Sequence, residues 1–538
     1  MQLLLRRLFP TFLISLLPFG AGAATPAATD AGLATYRAER ARLAARPRPV
    51  ICNNDGNDFQ KVTEVSKAVF LAARTTGLEN TRVAAISYCT NHSWGLFSHP
   101  TKIGSVIHDP IPHSTGFSTD ILARYLDAGL DPLAMMVEFG KAHGIEIFWS
   151  LRMNDTHDSN PGLYGPGFLA ANTLKTAHPE FLLGTPEKKP RHAGWTAVNY
   201  ALPEVRDYTF RFLEEVCQNY DVDGVELDFF RHRAFFKTTA NGEKATSGER
   251  AAMTGLVRRI RAMTEREGLH RGRPLLVSMR VPDSVAYCRD IGLDIETWLT
   301  DGLLDLLVVG GYMQLNPWAT SVALGHQHGV PVYPSLDESR LKDNDARKLR
   351  SSLLAERGRA LLAREAGADG IYKFNYFNPR SPAWSELGDP AALATQNKDY
   401  FASIRGLGAW TQALPHLPYT TIPTLCPDAP LALEPGAKRS VTFLLGDEPA
   451  LAGQTIRLRL NFTNVVPSST RDLVVSVNGA RLARAESGGR WLTFNLTGER
   501  GAMLRKGENR VTLTLASSAP EALTWTDLHV QVRYAGSK

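Results

Sequence analysis

The segment that decides the fold reads Asp221-Val222-Asp223-Gly224-Val225-Glu226-Leu227-Asp228-Phe229-Phe230-Arg231-His232. Apolar positions 225, 227 and 229 alternate with Glu226 and Asp228, which is the period of a β-strand, so both carboxylates share one face. In a barrel of parallel strands the apolar face packs on the surrounding helices and the other face points to the axis. A carboxylate is costly to bury there unless it is paired or meets solvent. Asp228, at the carboxyl end of the strand, fits the mouth of such a barrel.

Short runs of this kind recur along the chain, and segments long enough for a helix separate them, for example 59–75, 132–143, 203–220, 247–267 and 346–366. The β-rich runs are 50–54, 83–89, 145–153, 222–230, 275–281, 304–313, 330–336 and 368–376. Strand–helix units in this order predict a (β/α)8 TIM barrel. A doubly wound open sheet is the alternative, but it normally has fewer strands, and no glycine-rich phosphate loop follows the first run.

After about residue 420 the helical periodicity stops, and short alternating runs follow, separated by turn signals such as Asn478-Gly479. This pattern predicts a β-sandwich over 421–538, behind a barrel over 49–420. Two roles are open for the sandwich. It binds carbohydrate, or it is a structural cap on the barrel.

The amino terminus has the pattern of a secretory signal peptide over residues 1–23. Arg6 and Arg7 precede an apolar run at 8–17, and Ala21-Gly22-Ala23 offers a cleavage site. A lead-in segment at 24–48 then precedes the barrel. No later stretch approaches the ~20 apolar residues that span a bilayer. We therefore predict a protein exported to the periplasm or the extracellular space, without a membrane span.

Composition excludes some classes of partner. The formal charge of +6 is small for 538 residues, and no basic run interleaved with aromatic residues marks a nucleic-acid surface. The five cysteines fit no metal-binding spacing. Buried free thiols are favoured over a Cys52–Cys89 disulfide.

The same period of two extends to the neighbouring strands. It places Ser150, Arg152 and Asn154 on the inward face of 148–154, and it places Ser278 and Arg280 on that of 275–282. Arginines then flank the carboxylates of the fourth strand. We predict that the deeper Glu226 pairs with one of them and is structural, whereas Asp228 meets substrate.

Paired carboxyl groups are the signature of glycoside hydrolysis, which needs one on each side of the scissile bond. Asp228 is our first catalytic candidate. Its partner has to come from another strand end, and the choices are Asp55, Asp155, Asp283, Asp337 and Glu338. Alternation along strand seven turns Asp337 inward, with Lys373 and Asn375 beside it on strand eight. Asp337 is preferred, Glu338 is next, and Asp283 is a rival.

Sugar binding calls for planar hydrogen-bonding groups and aromatic rings around the mouth. The candidates are Glu226, Arg152, Asn154, Asp155, His157, Arg280, Arg231, Tyr312, Trp94 and Asn375. The long loop after strand two also carries His92, His99, His108 and His113, but no metal-ligand spacing stands out among them. We predict neither a metal nor another cofactor.

The segment 200–206, Tyr-Ala-Leu-Pro-Glu-Val-Arg, followed by a helix and then by Asp223-Gly224-Val225-Glu226-Leu227-Asp228, resembles the bacterial glycosyl-hydrolase-like barrel proteins of the glycosyl hydrolase-like family ten group. The resemblance covers about residues 49–380. It implies a TIM barrel that acts on a polysaccharide, with Asp228 as a catalytic candidate. The sequence departs from that pattern at Phe229, where the family commonly carries a second Asp.

Together these features predict an exported glycoside hydrolase that cleaves a polysaccharide or oligosaccharide with two carboxyl groups. One alternative is a non-catalytic glycan-binding protein that keeps the barrel mouth for capture. The other is a metal-dependent carbohydrate deacetylase that uses the loop histidines.

Overall fold

A computed structural model describes residues 30–107, 120–159, 165–406, 412–449, 451, 453–464, 471–483 and 486–536. The predicted signal peptide at 1–23, together with His108 and His113, lies outside these residues. No helix in the described ranges is long and apolar enough to cross a membrane.

A closed barrel of parallel strands forms the first part of the molecule, in chain order around the ring. Its strands are β1 (Val50–Asn54), β2 (Val83–Cys89), β3 (Glu146–Arg152), β4 (Gly224–Asp228), β5 (Leu276–Val281), β6 (Leu306–Val309), β7 (Val332–Leu336) and β8 (Ile371–Lys373). The predicted TIM barrel is confirmed. Each strand lies within or coincides with the run predicted for it, because alternating β-branched and polar residues are a local signal.

Helices surround the barrel and cover its apolar outer face. They are Asp30–Ala44, Lys67–Arg74, Asp120–Asp127, Pro132–His143, Gly165–Ala171, Thr173–Ala177, Pro203–Asn219, Lys237–Ala240, Ser247–His270, Val285–Asp290, Ile295–Thr300, Trp318–Gln327, Asn344–Arg350, Leu353–Glu365, Ala383–Glu386 and Pro390–Thr395. Helix Pro132–His143 has clear capping residues at both of its ends. Asp131 accepts hydrogen bonds from two backbone N–H groups of its first turn, and Gly144 ends it in the left-handed region.

Two antiparallel sheets form the carboxyl-terminal part, which confirms the predicted β-sandwich. Its strands are β9 (Lys398–Phe401), β10 (Leu431–Leu433), β11 (Lys438–Leu445), β12 (Gln454–Phe462), β13 (Leu473–Val477), β14 (Ala480–Arg481), β15 (Glu486–Gly488), β16 (Trp491–Asn495), β17 (Gly507–Leu515) and β18 (Leu523–Tyr534). One sheet has the order β9-β18-β12-β16-β15, with β10 also paired to β18, and the other has the order β11-β17-β13-β14. Strand β9 precedes the predicted boundary at 420 and yet pairs with β18.

Register places polar side chains in layers across the barrel. Ser150, Glu226 and Ser278 are paired neighbours on β3, β4 and β5, and two residues further along Arg152, Asp228 and Arg280 are paired in the same way. The arginines predicted to flank the carboxylates of β4 are thus at the level of Asp228, one pleat above Glu226.

Strand β8 has the opposite parity to the one predicted. The Tyr372 hydroxyl faces the axis and donates to Glu226 at 2.9 Å, whereas Lys373 points outward to Glu356 on helix Leu353–Glu365, at 2.6 Å. The prediction of an inward Lys373 is wrong, because a buried ammonium group takes the position where a carboxylate can pair with it. All five cysteines are buried and free, as predicted.

Candidate active site

Glu226 lies in the lower layer and is fully buried. It accepts hydrogen bonds from Ser87 Oγ (2.9 Å), Ser150 Oγ (2.7 Å) and Tyr372 OH (2.9 Å). The predicted arginine pair is therefore absent among its hydrogen-bond partners in the described structure, and hydroxyl groups take its place. Burial, and then the charge of Asp228, raises the pKa of Glu226 above its ordinary value. A structural role for Glu226 stays a prediction, and the predicted sugar contact is corrected because the side chain is fully buried and bound by hydroxyl groups.

Asp228 is in the upper layer, and both of its oxygens are engaged. Oδ1 accepts the backbone N–H groups of Phe230 (2.9 Å) and Arg231 (3.0 Å), and Oδ2 lies 3.2 Å from Arg280 Nη1. The residue is 1% exposed. Arg280 itself is enclosed by aromatic rings, the nearest being Phe374 at 3.9 Å. Asp228 thus holds the turn after β4 and pairs with a buried guanidinium.

Arg152 joins the ends of β1 and β3. Its Nη2 lies 2.5 Å from Asp55 Oδ1, and its Nη1 lies 3.2 Å from Asp155 Oδ2. One guanidinium therefore orients two carboxylates at the barrel mouth. Burial raises the pKa of Asp155, but His157, His232 and Arg152 outweigh it and hold the pKa well below the ordinary value.

Asp155, His157 and His232 lie close enough for one ligand atom of each to fall within 4.8 Å of the others. His157 Nδ1 is 2.6 Å from Asp155 Oδ1, and His157 Nε2 is 3.0 Å from Arg231 Nη2. A guanidinium only donates, so Nε2 accepts and the ring proton is on Nδ1, facing Asp155. A metal ion needs an unprotonated nitrogen on that side. This geometry fits a hydrogen-bonded chain from Asp155 through His157 to Arg231 better than a set of metal ligands.

His92 and His99, the described histidines of the β2 loop, have other contacts. His99 bonds Thr90 Oγ1 at 2.7 Å, and His92 contacts the rings of Phe59 and Phe168. Burial lowers the pKa of His92 and of His99 to about 3, so both imidazoles are neutral. They are packing residues in the described structure.

Asp55 reaches the open part of the mouth, where its side chain is 14% exposed. The loop that carries it is tightly fixed. Gly56 has a φ of 69°, and a Cβ there would lie 1.4 Å from the carbonyl oxygen of Cys89. Burial raises the pKa of Asp55, but the charges of Arg152 and then Arg231 outweigh it, so that the pKa lies below its ordinary value. Asp55 is held ionised at neutral pH.

The end of β7 supplies Glu338 and Arg340. The Glu338 side chain is 52% exposed, and its Oε1 lies 3.6 Å from Arg340 Nη2. The Arg340 guanidinium lies 3.6 Å from the centre of the Tyr312 ring, and the Arg231 guanidinium lies 5.3 Å from it. The Tyr312 ring lies beside two guanidiniums and is only 1% exposed, so it is not an open platform for a sugar, contrary to prediction.

Asn375 follows β8 and adopts a φ of 54°, in the left-handed region that asparagine tolerates better than most residues. Its Nδ2 donates to the Tyr312 hydroxyl at 3.0 Å, and its Oδ1 is buried without a hydrogen-bond partner in the described structure. A residue in the left-handed region with an unused buried acceptor is a common feature of binding sites. Asn375 keeps its predicted role as a candidate ligand for sugar hydroxyls.

Other predicted site residues are placed away from the open mouth. Asn154 Nδ2 donates to the carbonyl oxygens of Val198 (2.9 Å) and Ala234 (2.5 Å), which ties two loops together. Trp94 is fully buried and donates to Thr209 on helix Pro203–Asn219. Both predictions of sugar contact are corrected, because the hydrogen-bonding and ring surfaces of these side chains are used inside the protein.

Asp337, the preferred partner of Asp228, is fully buried. Its carboxylate contacts Arg405 and lies 3.9 Å from Arg359. Asp283 is also buried, and it accepts backbone N–H groups of Leu315 and Asn316 at 2.9–3.1 Å. Alternation along β7 placed Asp337 near the mouth, but it did not show that Arg405, from after the barrel, covers it.

Some residues of the mouth were not predicted. Arg340 lies two positions beyond Glu338, and Phe377 lies two positions beyond Asn375. Alternation gave no signal for either, because it turns Asp337 and Tyr372 inward and leaves positions 340 and 377 on the other parity. Phe377 is 38% exposed, and one face of its ring is covered by the guanidinium of Arg74 at 3.9 Å. His232 belongs to the opening motif, but nothing local shows that it meets Asp155.

No family model matches the chain. No curated protein matches it either. The resemblance to the glycosyl hydrolase-like family ten group is thus not confirmed.

Among solved structures, the molecule is distantly similar to TIM-barrel proteins that act on carbohydrates. A Paenibacillus sp. cycloisomaltooligosaccharide glucanotransferase is 9% identical with a TM-score of 0.35, over 90% of this chain and 57% of the other. A Paenibacillus barengoltzii family 18 N-acetylglucosaminidase is 12% identical with a TM-score of 0.36, over 64% and 98%. An Arthrobacter globiformis T6 isomalto-dextranase is 11% identical with a TM-score of 0.34, over 92% and 98%. This chain spans little more than half of the glucanotransferase, and no argument below rests on these likenesses.

Asp283 gives a prediction for the pH dependence of stability. Burial raises its pKa to about 6, although backbone N–H donors act in the opposite direction. A folded-state pKa above the unfolded one stabilises the fold at low pH, and this contribution is lost as pH rises from about 4 through about 6. We expect wild type to lose roughly 3 kcal/mol relative to Asp283→Asn between pH 4 and 8, measured by urea unfolding. Parallel curves for the two proteins would contradict the raised pKa.

Proposed function

We propose that this protein is an exported glycoside hydrolase that cleaves O-glycosidic bonds of a polysaccharide or oligosaccharide at the barrel mouth. The observation that carries the proposal is the pair Asp55 and Glu338. These carboxyl groups end different strands, keep contact with solvent and lie near one guanidinium, that of Arg340. Glycoside hydrolysis requires two carboxyl groups flanking the scissile bond.

The ionised state of Asp55 assigns the two roles, because it makes Asp55 the base and leaves the acid to Glu338. Asp55 is held ionised, so it acts as the base that takes a proton from water while the water oxygen bonds to the anomeric carbon. Glu338 gives its proton to the glycosidic oxygen as the bond from that oxygen to the anomeric carbon breaks. The exchange consumes one water; afterwards Asp55 releases its proton to solvent and Glu338 takes one up, which restores both groups.

Strand spacing favours an inverting reaction. Strand β8 lies between β1 and β7, and neighbouring strands are ~4.8 Å apart, so the two strand ends are separated by about 10 Å. Inverting enzymes hold their carboxyl groups about 6.5–9.5 Å apart, whereas retaining enzymes hold them about 5 Å apart. We therefore propose inversion, which proton NMR of the first product anomer would test.

Asp228 has a positioning role in this proposal, because both of its oxygens are engaged and it is not exposed. In this proposal, side chains that line the mouth contact the sugar. These are Asn375, with its unused acceptor, His157, whose side chain is 15% exposed, and the open face of Phe377. Aromatic faces and planar polar groups are the usual ligands of sugars.

Export and family membership remain parts of the proposal. Export is supported by the Arg6-Arg7 and apolar pattern of residues 1–23, and the family by the motif around Asp223–Asp228. For the sandwich, a structural role is favoured by buried ion pairs, one within the sandwich sheets and one with a helix of the barrel. Examples are Lys398 with Asp447 at 2.9 Å and Arg350 with Asp527 at 2.6 Å.

The test is release of reducing sugar from a panel of neutral, acidic and amino polysaccharides. We expect wild type to cleave at least one, and we expect Glu338→Gln to lower kcat by about 10²-fold, as loss of a general acid does. Glu138→Gln is the matched control, because Glu138 is 61% exposed on the outer helix Pro132–His143. Equal rates for the two variants would remove Glu338 from the mechanism.

Other outcomes of the panel point to the alternative functions. Saturable binding of a glycan that is never cleaved would favour a glycan-binding protein. Release of acetate that stops with a chelator would favour a metal-dependent deacetylase, and it would contradict our assignment of the proton on His157.

A further inference from the structure

We infer that the barrel mouth contains a subsite for an acidic group of the substrate, formed by Arg231 and Arg340 beside Tyr312. The inference rests on the proposed function, since it names the class of glycan: one that carries carboxylate or sulfate groups. The guanidiniums lie 5.3 Å and 3.6 Å from the same ring centroid, and the charge of Arg231 acts on Arg340, so the two form one positive region.

Each guanidinium has a neighbour that orients it. Arg231 Nη2 contacts Nε2 of His157, and that imidazole is neutral because it accepts there. Arg340 lies 3.6 Å from Glu338, whose half-exposed side chain is screened by water, so the contact is weak. The carboxylate of Asp55 is also near, but it contacts Arg152 at 2.5 Å.

The positive charges also act on each other. Burial lowers the pKa of Arg340 below its ordinary value; Tyr312 opposes the shift and the charge of Arg231 adds to it. An anion that meets both side chains relieves this repulsion. The Arg340 side chain is 19% exposed, so the region is reached from solvent.

Guanidinium chemistry defines the ligand. Its planar fork of donors matches the oxygens of a carboxylate or a sulfate, and such charge-assisted bonds are stronger than those to neutral hydroxyls. A uronate or sulfated sugar therefore gains from this subsite, whereas a neutral glycan gains little.

The test measures binding, so that it does not depend on turnover. Alginate, dextran sulfate and neutral dextran are titrated into the Glu338→Gln protein by calorimetry, with Arg340 intact and with Arg340→Gln added. Arg258→Gln in the same background is the control. Arg258 lies on the outer helix Ser247–His270 and forms an exposed pair with Asp301, so this variant removes the same charge.

We expect Arg340→Gln to weaken binding of an acidic polymer about tenfold or more, and Arg258→Gln to change it less than about twofold. If Arg340→Gln weakens the binding of alginate alone, the subsite takes a uronate. If it weakens the binding of dextran sulfate alone, the subsite takes a sulfate. Tighter binding of neutral dextran than of either acidic polymer, or equal losses in the two arginine variants, would overturn the inference.

The outcomes separate this inference from the proposed function. If wild type cleaves no glycan but Arg340→Gln still loses the acidic polymer selectively, the subsite stands and hydrolysis fails. If wild type cleaves a neutral glycan and Arg340→Gln leaves acidic binding unchanged, hydrolysis stands and the subsite fails.

Discussion

Replacing Asp55 by Asn is expected to lower kcat by about 10²–10⁴-fold on any glycan that the protein cleaves, because the variant loses the base that activates water. Asparagine keeps the size of the side chain and still accepts a hydrogen bond from Arg152. Arg152 also keeps its second carboxylate, Asp155. We therefore expect binding and the unfolding midpoint to stay close to wild type, with the loss confined to kcat. Initial rates and calorimetric binding on the same glycan measure the two effects.

Asp228→Asn is the decisive comparison for this result. Our assignment makes Asp228 a positioning residue that holds the turn before Arg231 and pairs with Arg280, so its replacement changes KM and stability more than the chemical step. Full loss of turnover in Asp228→Asn, with Asp55→Asn active, would restore the assignment made from the sequence alone and reject Asp55 as the base.

Replacing Arg350 by Met is expected to lower the free energy of unfolding by about 3–5 kcal/mol, the cost of leaving one charge of a buried pair without its partner. Arg350 is fully buried, and it donates to both oxygens of Asp527 at 2.9 Å and 2.6 Å. It also donates to the carbonyl oxygen of Ser403 at 2.9 Å. The pair links a helix beside the barrel to strand β18 of the sandwich.

Urea unfolding followed by tryptophan fluorescence measures this loss, with Arg258→Met as the control. Arg258 forms an exposed pair with Asp301, and breaking such a pair costs less than about 1 kcal/mol. Equal midpoints for the two variants would show that the Arg350–Asp527 pair does not hold the sandwich to the barrel. A normal midpoint with lost activity would instead give the pair a functional role.

Prediction from the sequence was most accurate where the signal is local. Alternation along 224–229 predicted that Glu226 faces the axis, and the segment 203–220 predicted a helix before it. The structure has both features. The same argument was wrong for Lys373, on the three-residue strand β8. So short a strand offers too little alternation to set its parity, and a distant carboxylate on Glu356 decided it.

Partners of charged residues could not be predicted. Glu226 was assigned an arginine, but Ser87 and Tyr372 bind it instead, and Tyr372 is 146 residues away in the chain. Arg152 and Arg280 were placed on the correct strands, yet they pair with Asp55, Asp155 and Asp228. Which charges meet depends on closure of the barrel, and this brings β1 and β8 against strands that are distant in sequence.

The sequence by itself determined the class of fold, the strands, and the face on which Glu226 and Asp228 lie, because backbone alternation needs only neighbouring residues. Only the tertiary structure decided which carboxylates meet solvent. Asp337 is covered by Arg405, and Asp228 by Arg280, whereas Asp55 stays open beside Arg152. Burial and charge pairing are properties of the closed barrel. They are the reason why the candidate catalytic residues are Asp55 and Glu338, after β1 and β7, and not Asp228 in the segment that decides the fold.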